Sequence, residues 1–260
     1  MKIYFKLIVI IVFLLVILVF CTNKCDNYKN KDYSNNYKCF LLTLPDSHER
    51  RSNFLRSYNI NNKKNIKLEI VNGIKTKSVE EIKKFEDKID HVYLNKAIEM
   101  LKNPSVKRPD ITYFNIGAIG CYFGHLDIYD RCIKENLKYA LIFEDNVIIK
   151  SNKLFNEINK YIEKKGDDFE ACFFHCWNKT IVSKNKIDYK IKWIQSTKCY
   201  LINVNNIKKY INYFIPMNNH IDQKYEDLIS NGARVYYKNL HKYITFDFSK
   251  KSTINHSPIE

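Results

Sequence analysis

Glycine and proline are scarce in this chain, 6 and 5 among 260 residues, which excludes a collagen-like or low-complexity protein. No internal repeat is visible, and no CxxC pair occurs among the eight cysteines, so a repeated zinc spacing is absent. The positive charge is not arginine: the formal net charge of +15 comes almost wholly from scattered lysines. That pattern argues against a nucleic-acid-binding protein, while a basic field still favours anionic partners such as nucleotide diphosphates or acidic membrane faces. What is present is aromatic: 16 Phe and 19 Tyr suit a packed α/β protein.

One long apolar run stands apart. Ile3 to Cys21 carries a single charge, Lys6, and from Leu7 onward it approaches the length needed to cross a hydrocarbon core of about 30 Å. Its end, LVFCTNKC, lacks the small-x-small pattern of a cleavage site, which favours an uncleaved signal anchor over a removed signal peptide. The expectation is a transmembrane helix over 1–21, a polar Asn- and Lys-rich stem over 22–38, and one globular domain over 39–260. Lys24, Lys29 and Lys31 partly offset Lys2 and Lys6 in setting orientation; a lumenal domain of a single-pass protein is the expected arrangement. Cysteines beyond the anchor then read as buried thiols with one or two disulfides, and Asn178 and Asn255 as sequons. Cys172, His175 and Cys176 look ligand-like, but on an extended strand Cys172 and Cys176 lie about 13 Å apart, too far for one tetrahedral ion.

The pattern of elements predicts an α/β sheet with helices on both faces. Strands are expected at Cys39–Leu44, Ile66–Val71, Tyr139–Phe143, Phe169–Trp177, Cys199–Val204 and Arg234–Tyr237, with helices at 48–58, 117–137, 153–164, 206–214 and 222–231. The stretch 76–110 reads as a charged, two-piece helical excursion.

Two constellations could carry chemistry. Gly117, Gly120 and Gly124 share one side of a helix, each costing about 1 kcal/mol relative to alanine, so something must approach that backbone closely: a packed neighbour, or a nucleotide or acceptor. The stretch ALIFEDN ends an apolar strand in Glu144, Asp145 and Asn146, hard oxygen donors suited to Mg²⁺ or Mn²⁺ on a diphosphate, at the sheet edge where ligands bind. A solvated acidic turn would explain the same acids.

The run Asn115–Ile149, with IGAIGCYFGH and LIFEDNVII, resembles glycosyltransferase family 25, whose members carry a G-x-I-G-C-x-x-S-H helix before a strand ending in Glu-Asp-Asp. FLLTLPDSHERR looks like the family's first strand and arginine-containing nucleotide loop. CYLINVNNIKKYI, HIDQKYED and a distal KKSTI look like its later segments. The resemblance spans roughly Cys39 to Ile254. It implies a single GT-A-like domain with a mixed central sheet, a UDP-sugar donor, and a divalent metal, Mn²⁺, held by Asp145 and Asn146. Arg50, Arg51, Gly120, His125 and Glu144 would line the donor site. A glycan or hydroxylated protein would be the acceptor, with Asp222 as the base that takes its proton, although a helix N-cap would explain Asp222 as well. The sequence departs from the family pattern twice: Asn146 stands where the third acid would be, and Gly124 where the serine before His125 would be. The rival expectations are a catalytically silent relative that binds glycans and a metal-dependent phosphohydrolase, the latter lacking a second acidic cluster.

Overall fold

The computed structural model describes residues 37–76, 78–102 and 116–247; the expected anchor, most of the stem, the KKSTI tail and the second sequon lie outside them. Among the described residues no helix is long and apolar enough to cross a membrane. In chain order the elements are β1 (Tyr37–Thr43), α1 (His48–Asn61), β2 (Leu68–Asn72), α2 (Val79–Lys83), α3 (His91–Lys102), α4 (Ile116–Lys134), β3 (Tyr139–Glu144), β4 (Val147–Ile149) and α5 (Lys153–Lys165). There follow β5 (Ala171–Phe173), β6 (Asn178–Lys184), β7 (Tyr189–Gln195), β8 (Cys199–Asn203), α6 (Val204–Ile207), α7 (Ile221–Ser230), β9 (Val235–Tyr237) and β10 (Ile244–Phe246).

Eight strands form one mixed sheet in the order β2-β1-β3-β8-β5-β9-β7-β6. β1 pairs parallel with β2 and β3, and β5 parallel with β9, while β8 runs antiparallel between β3 and β5. The carboxyl ends of β3 and β5 therefore meet the amino end of β8 at one edge: Phe143 pairs with Cys199, and Phe173 with Tyr200.

Alternation along these strands builds two cores, because successive side chains point to opposite faces. Phe40, Leu42, Ala140, Ile142, Phe173 and Tyr200 pack on one face with Ile119, Tyr122 and Tyr129 of α4 and Tyr225 and Leu228 of α7. Leu41, Leu141, Phe143 and Cys199 pack on the other with Phe54 and Tyr58 of α1 and Phe155, Ile158 and Tyr161 of α5. Each fully buried aromatic of this kind contributes about 2–3 kcal/mol of transfer free energy.

Several expected elements differ. The strand expected over Phe169–Trp177 stops at Phe173, because the backbone N–H groups of Phe174 and Trp177 turn to Cys199 and Gln195. Cys172 and Cys176 are thus not on one extended strand, and the separation inferred from one does not apply. The six cysteines among the described residues are free. The helix expected at 206–214 is one short turn of α-helix followed by a 3-10 segment, Lys208–Phe214. The hairpin β6–β7 and the two-stranded ribbon β4–β10 are additions. β6 is almost wholly exposed, so it lacks the alternating apolar pattern that marks a half-buried strand.

Candidate active site

Glu144 closes β3 by donating its N–H to the Lys198 carbonyl (3.0 Å), and Asp145 and Asn146 form the turn into β4. Asp145 is only 8% exposed. Its carboxylate accepts from the Thr43 hydroxyl at 2.8 Å and faces the Arg50 guanidinium at 3.5 Å. Thr43 ends the neighbouring strand β1, and Arg50 lies in the first turn of α1. Burial pushes the Asp145 carboxyl above its ordinary value; Thr43 and Arg50 oppose that, and Glu144 adds to it. Arg50 is itself buried because it turns inward to this acid.

Glu144 accepts from the Thr197 hydroxyl at 2.8 Å and lies 3.7 Å from His125 Nε2. Burial raises its pKa, but His125, Lys198 and Thr197 together outweigh that and hold the group below the usual carboxylate range. His125 sits in mid-helix, fully buried, so it is not a helix cap. Its Nδ1 is 2.8 Å from the Tyr200 hydroxyl, from which a chain of hydroxyls runs to Tyr129 (2.8 Å) and on to Tyr225 (2.7 Å). This chain fixes the imidazole so that Nε2, a buried nitrogen without a hydrogen-bond partner, faces the Glu144 carboxylate. One helical turn earlier, Cys121 brings its sulfur to the same place, and ligand atoms of Cys121, His125 and Glu144 lie within 4.8 Å of one another. Burial and the nearby acids push the Cys121 thiol well up, so it is held protonated there.

Asn146 Oδ1 is a buried acceptor with no hydrogen-bond partner, while its backbone carbonyl accepts from Asp247 N–H (2.8 Å). An unpaired buried carbonyl oxygen beside an acid is costly unless something binds it. Asn146 Oδ1 and the neighbouring Asp145 carboxylate are both hard oxygen donors, the chemistry that suits a divalent ion such as Mg²⁺ or Mn²⁺.

Asp222 is in the first turn of α7 and not at its cap, which is His220. Its carboxylate accepts from the N–H groups of Ser196 (2.7 Å) and Gln223 (2.9 Å). Burial nevertheless raises its pKa, against those two bonds. Ser196 holds a φ of +118°, a region that strains a residue with a side chain. Its corner, Ser196-Thr197-Lys198, ties the acids together: Ser196 N–H binds Asp222, and Thr197 binds Glu144.

Of the residues singled out from sequence, Arg50, His125, Glu144, Asp145 and Asn146 meet at one edge, and Asp222 joins through Ser196. Arg51 does not join them: it turns to His48 Nδ1 (2.9 Å) and the Pro45 carbonyl (3.5 Å). Gly120 is not open to a ligand, because a Cβ there would lie 2.0 Å from the Ile74 carbonyl oxygen, and one at Gly124 would lie 2.8 Å from Leu42 Cδ1. The close approach that these glycines imply is made by the protein's own loop and strand. Sequence reading missed Thr43, Cys121, Ser196, Thr197 and Lys198; a polar Thr ending the apolar run CFLLT and the STK corner just before β8 were the available signals.

An α/β chain with a mixed sheet, two adjacent acids at the carboxyl edge of a buried strand and a third acid joined to them through one corner has the form of the class that binds ligands at that edge. The family model of glycosyltransferase family 25 (LPS biosynthesis protein) matches residues 36–225, and the chain belongs to this family. A comparison with curated proteins returns no match. Among solved structures, the chain is similar to a glycosyltransferase involved in the glycosylation of the major capsid of PBCV-1, at 8% identity and TM-score 0.43, covering 78% of this chain and 81% of that one. It is also similar to S. aureus TarS 1-349 (9%, TM-score 0.45, 80% of this chain and 59% of that one). A third is the UTP-bound UGPase from Acinetobacter baumannii (8%, TM-score 0.43, 78% and 85%).

Proposed function

We propose that this family 25 glycosyltransferase transfers a hexose from a UDP-sugar to a hydroxyl of a glycan or protein acceptor, anchored in a membrane by residues 1–21 with its domain on the lumenal side. The observation that carries the catalytic reading is the buried, unpartnered Asn146 Oδ1 directly after the buried Asp145 at the carboxyl edge of β3. A divalent ion there, Mn²⁺ by preference, would neutralise the diphosphate; Asp145 and Asn146 are the residues to hold it.

The remaining steps fall to the chain's own groups. Arg50, 3.5 Å from Asp145, is placed to turn its guanidinium to a phosphate oxygen once the acid has another partner. Asp222, ionised, takes the proton of the acceptor hydroxyl as that oxygen bonds to the anomeric carbon. The bond from that carbon to the phosphate oxygen breaks, and its electron pair leaves on UDP. The configuration inverts. Glu144, held ionised by His125, Lys198 and Thr197, keeps the Ser196-Thr197-Lys198 corner against the acids.

The test is release of UDP by the purified full chain with Mn²⁺ across a panel of UDP-hexoses and simple glycosides. Absence of both donor binding and metal-dependent release would reject the reading. Asn146, an amide in place of an acid, favours one rival, a silent glycan-binding relative; gain of transfer from nothing in Asn146→Asp would select it.

A further inference from the structure

Trp177 is exposed over 55% of its surface, unlike the many aromatics buried in the two cores. It stands just past the carboxyl end of β5, and its backbone is pinned by a hydrogen bond from its N–H to the Gln195 carbonyl (2.9 Å). The ring is backed on its inner side. It meets His175 edge-on at 5.0 Å and Phe246 at 6.1 Å, and the Lys198 ammonium lies 4.7 Å from its centroid and 4.9 Å from that of Phe246. His175 is in turn held between Phe246 (4.1 Å) and His241 (4.6 Å), so the group is an assembled aromatic surface.

Each backing residue is tied to a residue of the site. Lys198 follows Thr197, which binds Glu144; Phe246 precedes Asp247, which binds Asn146; His175 Nδ1 is 3.2 Å from the hydroxyl of Ser196, whose N–H binds Asp222. Through His175 and Ser196 the platform is joined to Asp222. Asp145 is gripped by Thr43 of β1 and Arg50 of α1, whereas Trp177 follows β5, which lies two strands from β3, about 10 Å across the sheet.

We infer that Trp177, backed by His175, Phe246 and Lys198, is the subsite on which a pyranose ring of the acceptor rests, its C–H face on the indole and its hydroxyls toward Asp222. The inference deepens the transferase reading and rests on it. An indole face carries negative charge density that the polarised C–H bonds of a pyranose match, and a rigid, half-exposed ring loses little conformational freedom on binding. A nucleobase would also stack on indole; were one held here, loss of Trp177 would raise the donor KM, which separates it from an acceptor ring.

Trp177 and Trp193 are the two tryptophans of the chain, so Trp193→Phe leaves Trp177 as its sole indole. The full chain carrying Trp193→Phe is titrated with methyl β-D-galactopyranoside and methyl β-D-glucopyranoside while indole emission is followed. A saturable shift with one of them is expected, and the same titration of Trp177→Phe should be silent. With that glycoside as acceptor, Trp177→Ala should raise the acceptor KM about tenfold and Trp177→Phe two- to threefold, with the donor KM within about twofold of wild type. No saturable shift with either glycoside, or a donor KM raised as much as the acceptor KM, overturns the inference. The two readings separate cleanly. UDP release without a shift keeps the transferase and rejects the platform; a shift without UDP release from any donor keeps a sugar-binding Trp177 and rejects the transferase.

Discussion

Replacing Gly120 by alanine should destabilise the fold, and the same change at Gly124, four residues on, should not. At Gly120 the new Cβ would lie 2.0 Å from the Ile74 carbonyl oxygen, 3.1 Å from its carbon and 3.3 Å from Thr76 Oγ1. An ordinary C···O approach is about 3.3 Å, so the α4 backbone and the loop after β2 must separate by roughly 1.3 Å. Both partners are backbone and neither can rotate away. Overpacking of this kind costs about 3 kcal/mol, against which the helix gains about 1 kcal/mol from alanine, leaving a net loss of about 2 kcal/mol. For a domain of this size that is a fall in Tm of about 4–8 °C. At Gly124 the nearest atom is Leu42 Cδ1 at 2.8 Å, the end of a flexible side chain. Its displacement costs about 1 kcal/mol, which the helix propensity of alanine offsets. Thermal unfolding of the two variants by circular dichroism decides the matter. A Gly120→Ala protein as stable as wild type, or a larger loss at Gly124, would refute the view that the backbone of Ile74 against Gly120 is the tighter of the two contacts.

Three further outcomes follow from the site. Asp222 must be ionised to accept a proton, and burial holds its pKa above the ordinary value of about 3.9, so kcat/KM should fall as pH drops through that raised value; Asp222→Asn should abolish transfer while donor binding persists. His175 has a pKa pushed down to about 3 by burial and by the charges of His241 and Lys198, so its ring resonances should not titrate between about pH 5 and 8. Because the unfolded histidine takes its proton near pH 6.5, that depressed value also means stability lost as pH falls from there toward about 3, measurable by urea unfolding. Asn146→Asp should tighten Mn²⁺ binding by about tenfold, since it adds charge to the oxygen donor set; calorimetry with the ion alone reads it, and unchanged affinity would place the ion elsewhere.

Much of the sheet was legible because its central strands are buried on both faces. CFLL and YALIF are continuous apolar runs, and such runs read as strands whatever covers them. The carboxyl-edge acids were legible for a related reason: Glu144 and Asp145 interrupt an apolar run abruptly. Arg50 was harder, since a buried arginine in the first turn of a polar-looking helix shows nothing local to betray that Asp145, 95 residues away, faces it. Asp222 could be placed on a helix but not joined to Ser196, because that hydrogen bond links the first turn of α7 to the connection between β7 and β8, 26 residues away. The glycine face announced a close approach without naming its partner, which is the Ile74 carbonyl. The hairpin β6–β7 escaped because an edge strand made of NKTIVSK buries too little to impose a period. The short run ACFFHCW misled in the opposite direction: its apolar residues are buried beyond β5 by the turn that presents Trp177, and burial alone does not distinguish that turn from a longer strand.

The most direct test of the central claim is titration of UDP-hexoses into the full chain in Mn²⁺ and again in EDTA, for wild type and Asp145→Asn, with UDP release recorded alongside. The account predicts donor binding that needs the ion, is weakened at least about a hundredfold by Asp145→Asn, and is accompanied by UDP release only when the ion is present. Equal donor binding in EDTA, or full activity in Asp145→Asn, would contradict it.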